Sequence, residues 1–302
     1  MQHDVIIVGA SFAGISAAMQ LLRARCTVLL IDSGKPRNRY AKSAHGFFAQ
    51  DGKSPFELQQ EGLRQLLKYP TLEFTQGEAT SADGAIGSFR VTLADGRQYQ
   101  AQRLILATGV RDELPAIAGM QERWGISVLH CPYCHGYEVR DQALGVIATS
   151  PMSVHQAVMI PDWGPTTYFT QGLYEPEQAE LKQLQTRGVK IERSPVQALL
   201  GTAPQLEGVQ LQDGRVIALG AIFTAPKTHL ASPLAQQLGC TIDDGPLGPL
   251  IRVDDVKLSS VPGVFAAGDT ASMMYNATMA SSSGVMAGVA AHRSLIEAAM
   301  AA

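Results

Sequence analysis

Short, wholly apolar runs recur along the chain, each followed by a glycine- or threonine-bearing turn. Val5-Ile6-Ile7-Val8 is the first such run, followed by Gly9-Ala10-Ser11-Phe12-Ala13-Gly14. Ile15 to Arg25 then shows the Ala, Leu and Met spacing of a helix, and Cys26 to Ile31 makes a second apolar run closed by Asp32. Leu104-Ile105-Leu106 runs into Ala107-Thr108-Gly109, and Gly263-Val264-Phe265-Ala266-Ala267 runs into Gly268-Asp269. Between these lie Leu144 to Ala148 and Thr166 to Thr170, separated by a predicted helix from about Val154 to Ile160. Phe89 to Leu93, Asp95-Gly96 and Gln98 to Ala101 predict a β-hairpin. Lys182 to Arg193, Leu206 to Gln212 and Gly214 to Leu219 predict a helix and a second hairpin. Buried strands alternating with helices predict an α/β fold with parallel sheets.

The first turn carries the clearest chemistry. A strand, a Gly turn, a helix, and a strand ending in an acid form the arrangement that holds a dinucleotide. The turn amides and the helix start attract a pyrophosphate, and Asp32 can accept from a ribose hydroxyl. Ser11 stands where the middle glycine is expected, and its hydroxyl can itself donate to a phosphate. Asp269, at the end of a downstream strand, can accept from a polyol, with a small-residue helix predicted from about Asn276.

A reactive centre is expected at His130-Cys131-Pro132-Tyr133-Cys134-His135-Gly136-Tyr137-Glu138. Three chemistries compete for it. Covalent haem attachment uses this spacing but needs an export signal that the N-terminus does not show. A zinc site built from His130, Cys131, Cys134 and His135 would crowd four donors into six residues. A redox dithiol needs two thiols able to close a small ring, and this reading fits best. His135 is the expected proton carrier and His130 a packing residue. Cys26 and Cys240 are expected to be inert small apolar residues.

Composition narrows the classes. The chain has 302 residues, 24 basic and 27 acidic, for a net charge of −3, with 46% hydrophobic residues. That argues against disorder and against a nucleic-acid binder. Four cysteines, two of them three apart, argue against a secreted disulfide scaffold and for a cytoplasmic protein. No signal peptide or membrane-spanning run is expected, and the uncharged tract Thr270 to Ala291 reads as closely packed interior. Met273, Met274 and Tyr275 precede the small-residue helix and are expected to line an apolar small-molecule pocket or, the preferred reading for the Met residues, to pack in the core.

The two-part site, the Ala107-Thr108-Gly109 turn and the Cys pair together resemble the thioredoxin reductase family of FAD flavoproteins, over the length of the chain. The resemblance implies an α/β two-dinucleotide-binding-domain flavoprotein. A three-layer ββα FAD domain, residues 1–114 and 241–302, would be joined to a smaller, degenerate NAD(P)H-like domain, residues 115–240. It implies FAD contacts at Gly9, Ser11, Phe12, Ala13, Gly14, Asp32, Thr108, Gly109, Gly268, Asp269, Asn276 and Ala277, and no metal. It also implies that Cys134 faces the flavin while Cys131 exchanges with substrate, and that two chains pair as a homodimer. Helices such as Val285 to Ala301 would serve either that pairing or the core.

The expected nicotinamide site is degenerate. Its turn, Thr149-Ser150-Pro151-Met152-Ser153-Val154, has no glycine, and Pro151 lacks an amide donor. The next strand ends in Gln171-Gly172 with no acid, and Asp141 to Leu181 contains no Lys or Arg. No nicotinamide cofactor is expected to bind. The Cys-Pro-Tyr-Cys-His segment, Trp124-Gly125 and His45-Gly46-Phe47-Phe48 with Asp51-Gly52 resemble the gliotoxin- and holomycin-type dithiol oxidases. That implies oxidation of a small-molecule dithiol by dioxygen through FAD. The alternatives are a reductase of disulfides or small redox proteins driven by NADPH or ferredoxin, and a flavoprotein without enzymatic activity.

Overall fold

The computed structural model describes residues 2–301 and contains two compact units. The first comprises residues 1–39, 55–111 and 228–302, and the second residues 40–54 and 112–227.

In the first unit, β1 (Gln2–Val8) leads through α1 (Phe12–Arg23) to β2 (Val28–Asp32), as the apolar pattern predicts. Then come α2 (Pro55–Leu66), β3 (Leu72–Gln76), β4 (Ala79–Asp83), β5 (Phe89–Leu93) and β6 (Gln98–Leu106). The sheet runs β3-β2-β1-β6-β5-β4, with a further strand, Val264–Ala266, also paired to β6. β1 is parallel to β2 and β6, while the predicted hairpin is the antiparallel pair β5–β6, with Phe89 opposite Ala101.

One face of this sheet packs Val5, Ile7, Leu30 and Ile105 against α1 and the C-terminal helix Ala277–Ala301. Small residues set that packing. A Cβ on Gly284 would lie 2.1 Å from the Ala13 carbonyl oxygen, and one on Gly288 would lie 2.6 Å from that of Ala17. The uncharged tract is thus interior on this side, with Ala287 and Ala291 fully buried. Its opposite side is exposed at Met279, Met286, Val289, Ile296 and Met300.

The second unit has a five-stranded parallel sheet, in the order Lys190–Glu192, Thr166–Phe169, Leu144–Ile147, Ala221–Phe223, Val128–Leu129. A three-stranded antiparallel sheet, Val196–Leu200, Gly208–Leu211 and Val216–Ala218, contains the second predicted hairpin.

The units differ from the expected division at residues 40–54, 112–114 and 228–240. Residues 40–54 join the second unit, where Gly125 (φ +81°) lies so close to Tyr40 that a Cβ there would meet it at 2.7 Å. Residues 228–240 join the first, where the Gln237 side chain accepts from the Ala82 amide and donates to the Thr80 carbonyl. Among the described residues, no helix is long and apolar enough to cross a membrane.

Candidate active site: a flavin cradle and a dithiol

The first turn is held from three sides. The Gly9 amide donates to the Ile31 carbonyl at 2.7 Å, and the Ala10 amide donates to Asp32 Oδ1 at 2.9 Å. Gln59 of α2 donates to the Ala10 carbonyl at 2.7 Å. Gly9 has φ +106°, and a Cβ on it would lie 2.2 Å from the Ala107 carbonyl oxygen; one on Gly14 would lie 1.7 Å from the Gly9 oxygen. Both glycines are therefore required by close backbone approach.

Ser11 is different. Its φ of −99° and ψ of −161° are ordinary extended values, so the position does not need a glycine. Its hydroxyl makes no capping bond to α1, leaving the helix start without a side-chain cap. Asp32 does more than the expected ribose contact, because its second oxygen accepts from the Gly34 amide at 3.0 Å.

The other half of this cradle comes from the ends of β6 and the strand Val264–Ala266, which run parallel. The Thr108 and Thr270 hydroxyls lie 3.4 Å apart, and Gly109 has φ +68° with open space where a Cβ would project. The Gly268 amide donates to Ser283 Oγ at 2.8 Å. Asn276 is the cap of the C-terminal helix, its Oδ1 accepting from the Thr278 amide at 2.8 Å, and Ala277 is the first helical residue. Asp269 is ion-paired with Arg37 at 3.1 Å, and that guanidinium stacks on Tyr275 at 4.1 Å. Sequence reasoning missed Gln59 and Arg37, which bear no motif. It also misplaced Met273 and Met274, which are exposed rather than core: each closes a loop before the helix instead of an element that packs.

A close-packed Gly turn, an uncapped helix start, a strand-end carboxylate and an open Thr-Gly step are the donor set that FAD needs. The residues present fit that group.

In the second unit, Cys131 and Cys134 form a disulfide with Cα atoms 5.3 Å apart. It directly follows the strand Val128–Leu129, at the carboxyl edge of the parallel sheet. Cys131 caps the short helix Pro132–His135, its sulfur accepting from the Cys134 amide at 3.2 Å. That donor stabilises a thiolate on Cys131. His130 serves the frame, as expected: its Nδ1 lies 3.3 Å from the Thr224 carbonyl, and its own carbonyl accepts from Gln156 at 2.7 Å.

His135 is half-buried beside the pair. Burial pushes its pKa below the ordinary histidine value, the Glu138 charge pulls it up, and His45 pushes it down. The net direction keeps the imidazole neutral near pH 7, able to take a proton. Tyr133 meets Trp163 edge-on at 5.7 Å, and the indole lies where a Cβ on Gly136 would come within 2.7 Å of it. Cys26 and Cys240 are buried and free, and burial raises both thiol pKa values, Asp4 adding to the effect at Cys26. Among the described residues, no group of three or more His, Cys, Asp or Glu is placed to hold a metal ion.

The turn after Leu144–Ile147 is closed on itself. Ser153, fully buried, accepts through Oγ from the amides of Thr149 at 3.0 Å and Ser150 at 3.3 Å. The Thr149 hydroxyl donates to the Ala225 carbonyl at 2.6 Å. The absence of basic residues between Asp141 and Leu181 does not carry over into space. The strand Lys190–Glu192 pairs with Thr166–Phe169 and brings Arg193 to Glu175, 3.0 Å away, while Thr170 donates to the other Glu175 oxygen.

Comparison with known proteins places the chain among flavin oxidoreductases. An oxidoreductase from Agrobacterium tumefaciens is 48% identical, with a TM-score of 0.94 over 98% of this chain and 99% of its own. The structure of HlmI is 36% identical, with a TM-score of 0.92 over 99% of this chain and 94% of its own. Thioredoxin reductase sirT of Leptosphaeria maculans is 30% identical over 316 residues, 99% of this chain and 96% of the relative. Residues 3–288 match the family described as pyridine nucleotide-disulphide oxidoreductase, whose thioredoxin-reductase-like members are FAD flavoproteins. With its cradle, its dithiol and these likenesses, the chain belongs to the pyridine nucleotide-disulphide oxidoreductase family, as a flavin-dependent thiol–disulfide oxidoreductase of thioredoxin-reductase-like fold.

Proposed function

We propose that this enzyme oxidises small-molecule dithiols to disulfides, with dioxygen as the final acceptor and no nicotinamide donor. The observation that carries the reading is the closed second turn. The amides a pyrophosphate would need are taken by the buried Ser153 hydroxyl, and the turn offers no glycine for close approach.

A substrate thiol gives its proton to His135, and the resulting thiolate attacks Cys131, displacing Cys134 as a thiolate. The second substrate thiol, losing its proton to water, then attacks as a thiolate the substrate sulfur of the mixed disulfide. Cys131 departs as a thiolate, steadied by the Cys134 amide. Gly9, Ser11, Phe12, Ala13, Gly14, Asp32, Thr108, Gly109, Gly268, Asp269, Asn276 and Ala277 would hold FAD, which would supply a two-electron acceptor for the reduced Cys131 and Cys134. The exposed stripe of the C-terminal helix, from Met279 to Met300, is the face on which two copies would pair.

A second reading has its own observation. Glu175, tied to Thr170 and Arg193, puts an acid and a base beyond the strand Thr166–Phe169, where a dinucleotide ribose would lie. It favours a reductase that keeps a residual NADPH site, and two of the relatives are named thioredoxin reductase.

Anaerobic mixing of the yellow holoenzyme with NADPH, NADH and dithiothreitol in turn separates the two. The expected result is bleaching by the dithiol alone, with recovery of the colour and release of peroxide on admitting air. Cys131→Ser and Cys134→Ser each abolish the bleaching. Bleaching by NADPH within seconds refutes the oxidase reading and supports the reductase.

A further inference from the structure

The segment 40–54 reaches the dithiol's surroundings from a distant part of the chain. It folds back on itself, the Ala44 amide donating to the Lys53 carbonyl at 2.8 Å and the Gly52 amide to the Ala44 carbonyl at 3.0 Å. This places His45 between two carboxylates. Its Nδ1 lies 3.4 Å from Asp51 Oδ2, and its Nε2 lies 3.4 Å from Glu138 Oε1. Asp51 is itself fixed, accepting from the Gly46 amide at 2.9 Å. The His45 side chain is 21% exposed, against 42% for Glu138 and 71% for Asp51, so the imidazole is the most enclosed of the three.

A histidine with a carboxylate at each ring nitrogen can hold a proton on either nitrogen or on both. Glu138 stands three residues after His135 and acts on it by charge, as does His45. We propose that His45 and Glu138 are a positioning pair for His135: Glu138 stabilises the proton that His135 takes from an incoming thiol, and His45, anchored by Asp51, fixes that carboxylate through its Nε2. The proposal rests on His135 being the base for that thiol. In the step concerned, the thiol S–H breaks and a His135 N–H forms. The sulfur keeps the electron pair with which it attacks Cys131.

The other charged groups on the packed elements are engaged elsewhere or face solvent. Arg140 stacks on Tyr137 at 3.9 Å, and Asp162, beside Trp163, is bonded to Arg187. Lys42 and Lys53 of the same segment are exposed, and His130 is turned to Thr224. The charges acting on His135 are therefore of opposite sign, and removing them moves it in opposite directions. Without Glu138 an imidazolium at His135 is harder to form; without His45 it is easier.

The test is the pH profile of anaerobic flavin bleaching by dithiothreitol, in holoenzyme from pH 5 to 8. Glu138→Gln should move the acid limb to lower pH and His45→Asn should move it to higher pH. Each shift should be about half a unit, roughly a threefold change in rate on the limb. His45→Gln and Asp51→Asn should move it in the same direction as His45→Asn, which guards against one variant failing to fold. A limb that stays in place in all four variants, or that moves the same way in Glu138→Gln and His45→Asn, overturns the positioning pair. No bleaching of the wild-type protein by any dithiol would instead remove the proposed function.

Discussion

The two small positions of the first turn should respond very unequally to substitution, although the glycine motif alone would rank Ser11 as the defect. A Cβ at residue 14 stands 1.7 Å from the Gly9 carbonyl oxygen, against an ordinary contact of about 3.5 Å. In Gly14→Ala the start of α1 and the turn must therefore part by nearly 2 Å, enough to break hydrogen bonds that tolerate only a few tenths. Losing two charge-assisted bonds to a pyrophosphate, at about 1.5 kcal/mol each, weakens flavin binding by about 3 kcal/mol, or on the order of a hundredfold. Ser11→Gly restores the glycine of the motif. Because Ser11 already lies in the extended region, the glycine should bring no gain in flavin affinity and should cost about 0.5–1 kcal/mol of stability through the freer unfolded chain. Flavin content, its dissociation in dilute denaturant and the thermal midpoint of each variant measure this. A Gly14→Ala protein that keeps its full flavin, or a Ser11→Gly protein that binds it tenfold more tightly, would refute the reasoning.

Two further outcomes follow from the second unit and the spare cysteines. Gly136→Ala puts a methyl 2.7 Å from the Trp163 indole nitrogen and 2.6 Å from the Pro132 carbonyl oxygen. It should lower stability by about 1–3 kcal/mol and slow thiol exchange, read by thermal melting and by dithiothreitol bleaching; unchanged values in both would contradict the close approach. Iodoacetamide at pH 8 should modify only Cys131 and Cys134, and only after reduction, since Cys26 and Cys240 are buried with raised thiol pKa values. Mass spectrometry of the oxidised protein showing labelled Cys26 or Cys240 would count against that.

The βαβ start and the Cys pair were readable because each is local. Val5–Val8, the Gly turn and Asp32 lie within one supersecondary unit, and Cys131 and Cys134 need only three residues of separation to close a ring. Patterns of this kind survive in one dimension because the contacts they encode span few residues. The loss of the second glycine turn was readable for the same reason. Its consequence was not: nothing in Thr149-Ser150-Pro151-Met152-Ser153 says that the last hydroxyl folds back onto the first two amides.

What could not be read is set by pairings between distant segments. The gap in Lys and Arg from Asp141 to Leu181 was real along the chain, yet one parallel strand pairing fills it with Arg193. Arg37 reaches Asp269 across most of the sequence, and His45 reaches Glu138 because residues 40–54 pack with the second unit while their neighbours on both sides pack with the first. Each long-range group changes the charge at a position that the local motif alone would leave bare. The motif thus identifies which atoms react, whereas the proton inventory around them depends on the topology. On the proposed function, the cysteine pair and the histidine after it are a redox dithiol with its base. Burial sets the direction in which that base is shifted, and two nearby charges adjust it, one of them brought by a loop about ninety residues earlier in the chain.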